Sequence, residues 1–257
     1  MLPKISEFER LMAYQSYVSG EDEWDIDNLL AVCDDYDPTG DWESLRLELP
    51  PKEYGKYTVK NIVIDREGRG RILYLLEQGI KRDPGWGVVT TQLLEGDVMW
   101  MSDTKAEVLE HLLVFDALKS LNAERVLING AGLGVLTRFC VNLSHVKHID
   151  VVEIDEDILA IHEEHHRSPK VHLHHEDAFE AEVDGEWDVV WHDIWPEISE
   201  DNLPEMATLE DMYDGRCKWQ HSWQKEGCQE LKRVGDEFAD ALERQDWARV
   251  KEIDPDF

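Results

Sequence analysis

Arg125-Val126-Leu127-Ile128-Asn129-Gly130-Ala131-Gly132-Leu133-Gly134 decides the reading of this chain. Its apolar run predicts a buried strand, and the alternating glycines behind it predict a turn that side chains would obstruct. Val135 to Leu143 then carries helical spacing, so the stretch reads strand, glycine loop, helix. Downstream, His148-Ile149-Asp150-Val151-Val152-Glu153 predicts the next strand and Asp157 to His166 the next helix. Val171-His172-Leu173-His174 and Trp187-Asp188-Val189-Val190-Trp191 predict two more strands. Strands separated by single helices imply right-handed crossovers in one parallel sheet. The expected fold class is α/β, a doubly wound, Rossmann-like, mainly parallel sheet. Past Asp193 there is helical spacing (Leu209, Met212, Tyr213; Leu231, Val234, Phe238, Leu242) but no β-branched run, so a shortened sheet without a fifth strand is expected.

The loop and the acid that follows it carry the chemistry. Glycines let backbone N–H groups approach a ligand closely, and the helix start adds partial positive charge. Glu153, nineteen residues after Gly134 at the end of the next strand, can accept hydrogen bonds from two ribose hydroxyls. The loop has the form G-x-G-x-G, and Thr137 stands where a dinucleotide fingerprint would continue to glycine. That argues against a pyrophosphate cradle and for a cofactor without phosphate, such as S-adenosylmethionine. Close helix–strand packing is the plain alternative for such glycines; the strand context and the spaced acid weigh against it.

Outward from this core the character changes. Residues 1–57 predict a helical, acidic N-terminal segment, with apolar spacing at Ile5, Phe8, Leu11, Met12 and Tyr14 and again at Leu29, Leu30 and Val32. Residues 58–101 predict a small β-meander, from runs at Thr58 to Ile64, Arg71 to Leu75 and Trp86 to Thr91. A helix from Lys105 to Ser120 follows from Val108, Leu109, Leu112, Leu113, Phe115 and Leu118, with Asp103 or Thr104 as cap. Residues 102–200 then form the expected α/β cofactor domain and 201–257 a helical C-terminal extension.

Composition narrows the function classes. With 257 residues and 42% hydrophobic content the chain can bury a sizeable core. A net charge of −31 disfavours nucleic acid as a partner. No apolar run is long enough for a membrane span and the N-terminus is not an apolar signal, so a cytoplasmic location is expected. Four scattered cysteines predict reduced thiols, and Cys217, His221 and Cys228 do not have a standard zinc spacing, so no metal is expected. His162, His165, His166, His172, His174 and His175 are expected to be solvated positions on a helix and a strand edge.

Taken together, Val126 to Gly134, Val152-Glu153-Ile154-Asp155, Glu176-Asp177-Ala178 and Trp187 to Asp193 resemble successive motifs of class I S-adenosylmethionine-dependent methyltransferases, nearest to the spermidine-synthase-like branch. The resemblance covers roughly residues 98–195. Trp191 to Glu197, Asp201 to Leu209 and Trp219 to Trp223 also resemble uncharacterised methyltransferase-like proteins of phages and bacteria, which places the expected cytoplasm in the cell or in a phage's host.

The resemblance implies that Gly130, Gly132 and Gly134 line the methionine and ribose end, and that Glu153 holds the ribose hydroxyls. Ile154 packs on the adenine, Asp177 accepts from its amino group, and Ala178 presents a backbone N–H. Asp193 faces the transferred group as base or substrate anchor. Trp195, Glu107 and Asp103 are the candidate substrate residues, although helix capping explains Asp103 equally well. Trp191, Trp195, Trp219 and Trp223 form either an aromatic wall for a cationic or planar substrate or a core under a long loop.

The activity so implied is methyl transfer from S-adenosylmethionine to a small-molecule or protein acceptor, in a protein compatible with a homo-oligomer. One alternative is aminopropyl transfer from decarboxylated S-adenosylmethionine. Against it, the acidic pair of spermidine synthases is reduced here to Asp193 within Asp193-Ile194-Trp195-Pro196, with no second acid for a diamine. The other alternative is a non-catalytic binding or assembly protein that retains the fold.

Overall fold

The computed structural model describes residues 47, 49–63 and 89–254. The expected N-terminal helices and the expected strand at Arg71 to Leu75 lie outside them. Ahead of the glycine loop, β1 (Lys52–Tyr54), β2 (Tyr57–Val63), β3 (Val89–Glu95) and β4 (Val98–Ser102) form an antiparallel sheet in sequential order. Its period-2 pattern shows in the register: Val59 pairs with Leu93, and both are buried.

The helix expected from Lys105 to Ser120 is two helices, α1 (Lys105–Glu110) and α2 (Leu112–Ser120). They part at His111. In an unbroken helix its N–H would bond the carbonyl of Glu107. Instead the ring Nδ1 lies 3.0 Å from that carbonyl, and the His111 N–H donates to Val108 at 3.2 Å. A side chain inserted into the ladder is a recognised cause of a break. The apolar stripe runs on through Val114, Phe115 and Leu118, so periodicity alone does not reveal it.

Next come β5 (Arg125–Asn129), α3 (Val135–Asn142), β6 (His148–Glu153), α4 (Glu156–His165), β7 (Val171–His175) and β8 (Trp187–His192). A short 3-10 turn leads to α5 (Leu203–Tyr213), β9 (Cys217–Ser222), α6 (Lys225–Glu243) and α7 (Trp247–Ile253). The sheet order is β7-β6-β5-β8-β9, with every pair parallel.

β9 corrects the expectation of a shortened sheet. Cys217-Lys218-Trp219-Gln220-His221-Ser222 has no β-branched residue, and its strand character comes from pairing with β8, Trp187↔Cys217 through His192↔Ser222. Tertiary pairing overrides a weak intrinsic preference here.

β5 is buried on both faces, which explains its continuous apolar run. Val126 and Ile128 join one core with Phe115, Leu118, Phe139 and Trp191, while Leu127 joins a second with Val190, Met206 and Tyr213. Strand order reverses between β5 and β8, so the chain exits those neighbouring strands in opposite directions and leaves a crevice at their carboxyl ends. Gly130 and Asp193 stand there, fixed by Gly130 N–H to Val152 O at 2.9 Å and Asp193 N–H to Asn129 O at 2.8 Å. Among the described residues no helix is long and apolar enough to cross a membrane.

Candidate active site

Three glycines at positive φ build the floor of the crevice: Gly130 at 94°, Gly132 at 49° and Gly134 at 90°. Close packing reinforces the backbone requirement. A Cβ on Gly130 would fall 1.9 Å from the carbonyl oxygen of Asp193, and one on Gly134 would fall 2.5 Å from His166 Nε2. Gly134→Ala combines a disfavoured φ with this collision and is expected to lower unfolding free energy by roughly 1–3 kcal/mol, read by denaturant titration.

Glu153 ends β6 beside this loop. Its Oε2 accepts from the Ala131 N–H and its Oε1 from the Asp155 N–H, both at 2.9 Å. Each carboxylate oxygen retains a further lone pair for a ligand. Ile154 next to it is 64% exposed, an apolar surface with room for a planar ring. Ala178 is buried, and Asp177 Oδ1 accepts from the Phe179 N–H at 2.9 Å, which is a capping role in the turn behind β7.

Met101, Ser102, Glu107, His111, Trp191 and Asp193 face the glycine loop. Asp193 Oδ2 lies 3.4 Å from His111 Nε2 and 3.5 Å from Trp191 Nε1. Glu107 accepts from both the N–H and the hydroxyl of Ser102. Glu110 Oε2 accepts from Trp223 Nε1 at 3.0 Å. α1 thus brings a further acid, Glu107, to the crevice beside Asp193.

Burial sets the electrostatics. It pushes Glu107 up to about 7, against the bonds from Ser102, and raises Glu110 as well. Burial also pulls His111 down, but the Asp193 carboxylate outweighs it and holds the imidazole above the usual histidine range.

The structure does not bring every expected residue to the crevice. Asp103 is fully buried, with Oδ1 accepting from Thr91 N–H at 2.5 Å and Oδ2 from Leu47 N–H at 2.9 Å, so it ties the meander together. Trp195 packs in the second core and donates to Glu205 Oε2 at 2.8 Å. Of the expected aromatic wall, Trp191 lines the crevice with Trp219 parallel behind it at 6.4 Å, and Trp223 holds Glu110.

The histidines need a correction too. His162 and His166 are not solvated but buried, at 1% and 7% exposure, with the Nε2 of each ring bonded to carbonyls of the glycine loop. Among the described residues no group of three or more side chains is arranged to hold a metal. His111 is marked by no motif in the sequence. The available signal for His111 was a polar residue within the buried stripe between Val108 and Phe115.

Acid is expected to weaken the fold. Burial holds His162, His166 and His192 at about 4, 3 and 4, against 6.5 in an exposed histidine. The unfolded chain takes up these protons first. The stability they contribute is full above about 6.5 and falls with pH, by up to about 1.4 kcal/mol per unit for each. Glu107 runs the other way: with its pKa raised from 4.5, its contribution is present below that value and lost as pH rises through about 7. Glu110 and His111, raised as well, act in the same direction as Glu107. Between pH 7 and pH 5 the three histidines, whose folded values all lie below 5, set the larger change, so the denaturation midpoint is expected to be lower at pH 5 than at pH 7.

Residues 103–219 match the spermine/spermidine synthase domain family. The polyamine aminopropyltransferase of Prochlorococcus marinus strain MIT 9301 is 35% identical over 108 residues, 41% of this chain and 32% of that protein. That of strain MIT 9312 is 34% identical over 116 residues, 44% of this chain and 33% of that protein. The chain thus spans about a third of the length of these curated relatives. Among solved structures, the N-methyltransferase NodS of Bradyrhizobium japonicum WM9 aligns with a TM-score of 0.35 at 16% identity, covering 44% of this chain and 62% of that one. Residues 103–219 are thus similar to that domain family, in an α/β fold whose parallel sheet is ordered β7-β6-β5-β8-β9.

Proposed function

We propose that this protein holds an S-adenosylmethionine-type nucleoside over the glycine loop and catalyses transfer of an alkyl group to an amine. The observation that carries this reading is the Asp193–His111 pair, 3.4 Å apart, facing the loop at the carboxyl end of β8. The residues suit the nucleoside. Glu153 has acceptor capacity for ribose hydroxyls, Ile154 offers an exposed apolar face, and the Leu133 N–H donates to the thioether of Met101, a weak acceptor that a ligand's oxygen can replace.

When bound, the nucleoside supplies an electrophilic carbon on a sulfonium. The protein's part is positioning and proton management. An attacking ammonium must lose a proton to become a nucleophile, and Asp193 accepts it. His111 steadies that carboxylate. The excess of 57 acidic over 26 basic residues favours approach of a cationic acceptor.

Methyl transfer is the first reading of this site. Aminopropyl transfer is the second, favoured by the curated relatives and by the acids of α1. The co-product separates them: methyl loss from S-adenosylmethionine leaves S-adenosylhomocysteine, and aminopropyl loss from the decarboxylated form leaves methylthioadenosine. Purified protein is incubated with each donor and a set of amines including putrescine, and co-products are read by mass spectrometry. One of the two is expected from the native protein. Neither co-product with any amine would contradict the transferase reading and favour a binding protein.

A further inference from the structure

We infer that His162 and His166 are positioning residues for the nucleoside, clamping the carbonyl side of the glycine loop so that its amide N–H groups face the crevice. This rests on the ligand reading above. The two residues stand four apart on α4 and so share one face, with rings 4.7 Å apart. His162 Nε2 lies 3.1 Å from the carbonyls of both Ala131 and Gly132, and His166 Nε2 lies 2.9 Å from that of Leu133. Three consecutive peptide carbonyls are thus taken by two rings.

A carbonyl only accepts, so each Nε2 must carry the proton and donate it. Burial agrees, because it keeps both rings neutral at neutral pH. His162 Nδ1 is buried without a partner, consistent with an unprotonated nitrogen. In a trans peptide the C=O and N–H point in opposite directions. Fixing the carbonyls of Ala131, Gly132 and Leu133 toward α4 therefore turns the N–H groups of Gly132, Leu133 and Gly134 away from it. The Leu133 N–H does point away, to Met101 Sδ at 2.8 Å on the crevice side. The clamp also accounts for the glycine at 134, where a Cβ would meet both rings, at 2.5 Å from His166 Nε2 and 3.0 Å from His162 Cε1.

The test uses the full-length protein and three readouts. Side-chain nitrogen NMR of the ligand-free protein at pH 7 is expected to show both rings neutral with the proton on Nε2; an Nδ1-protonated or charged ring would overturn the clamp. Substitutions His162→Gln and His166→Gln keep a donor near the Nε2 position, whereas His162→Leu and His166→Leu remove it. Each Leu variant is expected to speed amide exchange at Gly132, Leu133 and Gly134 and to weaken S-adenosylhomocysteine binding by about tenfold, the effect of one lost hydrogen bond. The Gln variants are expected to recover most of both effects, and the turnover rate at saturation is expected to change less than KM. Gln variants no better than Leu variants, or Leu variants that exchange like the native protein, would refute the inference. If the native protein binds neither S-adenosylhomocysteine nor the decarboxylated donor, the functional reading fails, while the tautomer and exchange readouts still judge the clamp. If a Leu variant does not fold, the Gln variant's exchange decides.

Discussion

Glu153→Ala is expected to weaken binding of an S-adenosylmethionine-type ligand by roughly a hundred- to a thousandfold. Two effects combine. The carboxylate is the acceptor placed for the ribose hydroxyls, and hydrogen bonds to a charged group contribute about 1.5–3 kcal/mol each. It is also the anchor for the Ala131 N–H, so its removal releases the first peptide of the glycine loop. Every 1.4 kcal/mol is a factor of ten in affinity, and two such bonds reach the stated range. Glu153→Gln separates the two effects. It keeps one oxygen for the loop or the ribose and brings an NH2 group toward donors at Ala131 or Asp155, so an intermediate loss is expected. Calorimetric titration measures both variants; binding by Glu153→Ala within threefold of the native protein would remove Glu153 from the ligand site.

Asp193→Asn is expected to lower turnover by roughly a hundred- to ten-thousandfold, the usual range for loss of a positioned general base. Ligand affinity should stay within about threefold, because the glycine loop and Glu153 are untouched. The shape of the side chain is retained, while its negative charge and with it the capacity to take a proton are lost. A second signature follows from His111. Its imidazole is held up by Asp193 against burial, and loses that support in the variant. The stability from a raised histidine is fully present below about 6.5 and is lost as pH rises through the higher folded-state value. Native protein should therefore lose stability on that alkaline side, and Asp193→Asn should show a flatter dependence. A variant with native turnover would exclude Asp193 as base.

How much of this was legible in the sequence depended on where side chains find their partners. The order β5, glycine loop, α3, β6 could be read because β5 is apolar on both faces and the loop glycines occupy positive φ. Glu153, Asp193 and Glu107 do converge on that loop, the first two at strand ends and the third on α1. Cys217 to Ser222 resisted because its strand character comes from β8 and not from its own residues. His111 resisted because its ring replaces its own backbone N–H at the carbonyl of Glu107, a break invisible to periodicity. His162 and His166 read as polar and hence exposed, but the acceptors that bury them belong to a loop about thirty residues away. Asp103 and Trp195 kept the motif order yet are drawn into other bonds, to Thr91 and Leu47 in one case and Glu205 in the other.

The central claim is that the crevice between β5 and β8 is a site for an S-adenosylmethionine-type nucleoside. It is tested most directly by calorimetric titration of the native protein with S-adenosylmethionine and, separately, with its decarboxylated form. Saturable binding of at least one of them, one molecule per chain and lost in Glu153→Ala, is the predicted result. Folded native protein that takes up neither ligand at millimolar concentration would contradict the account.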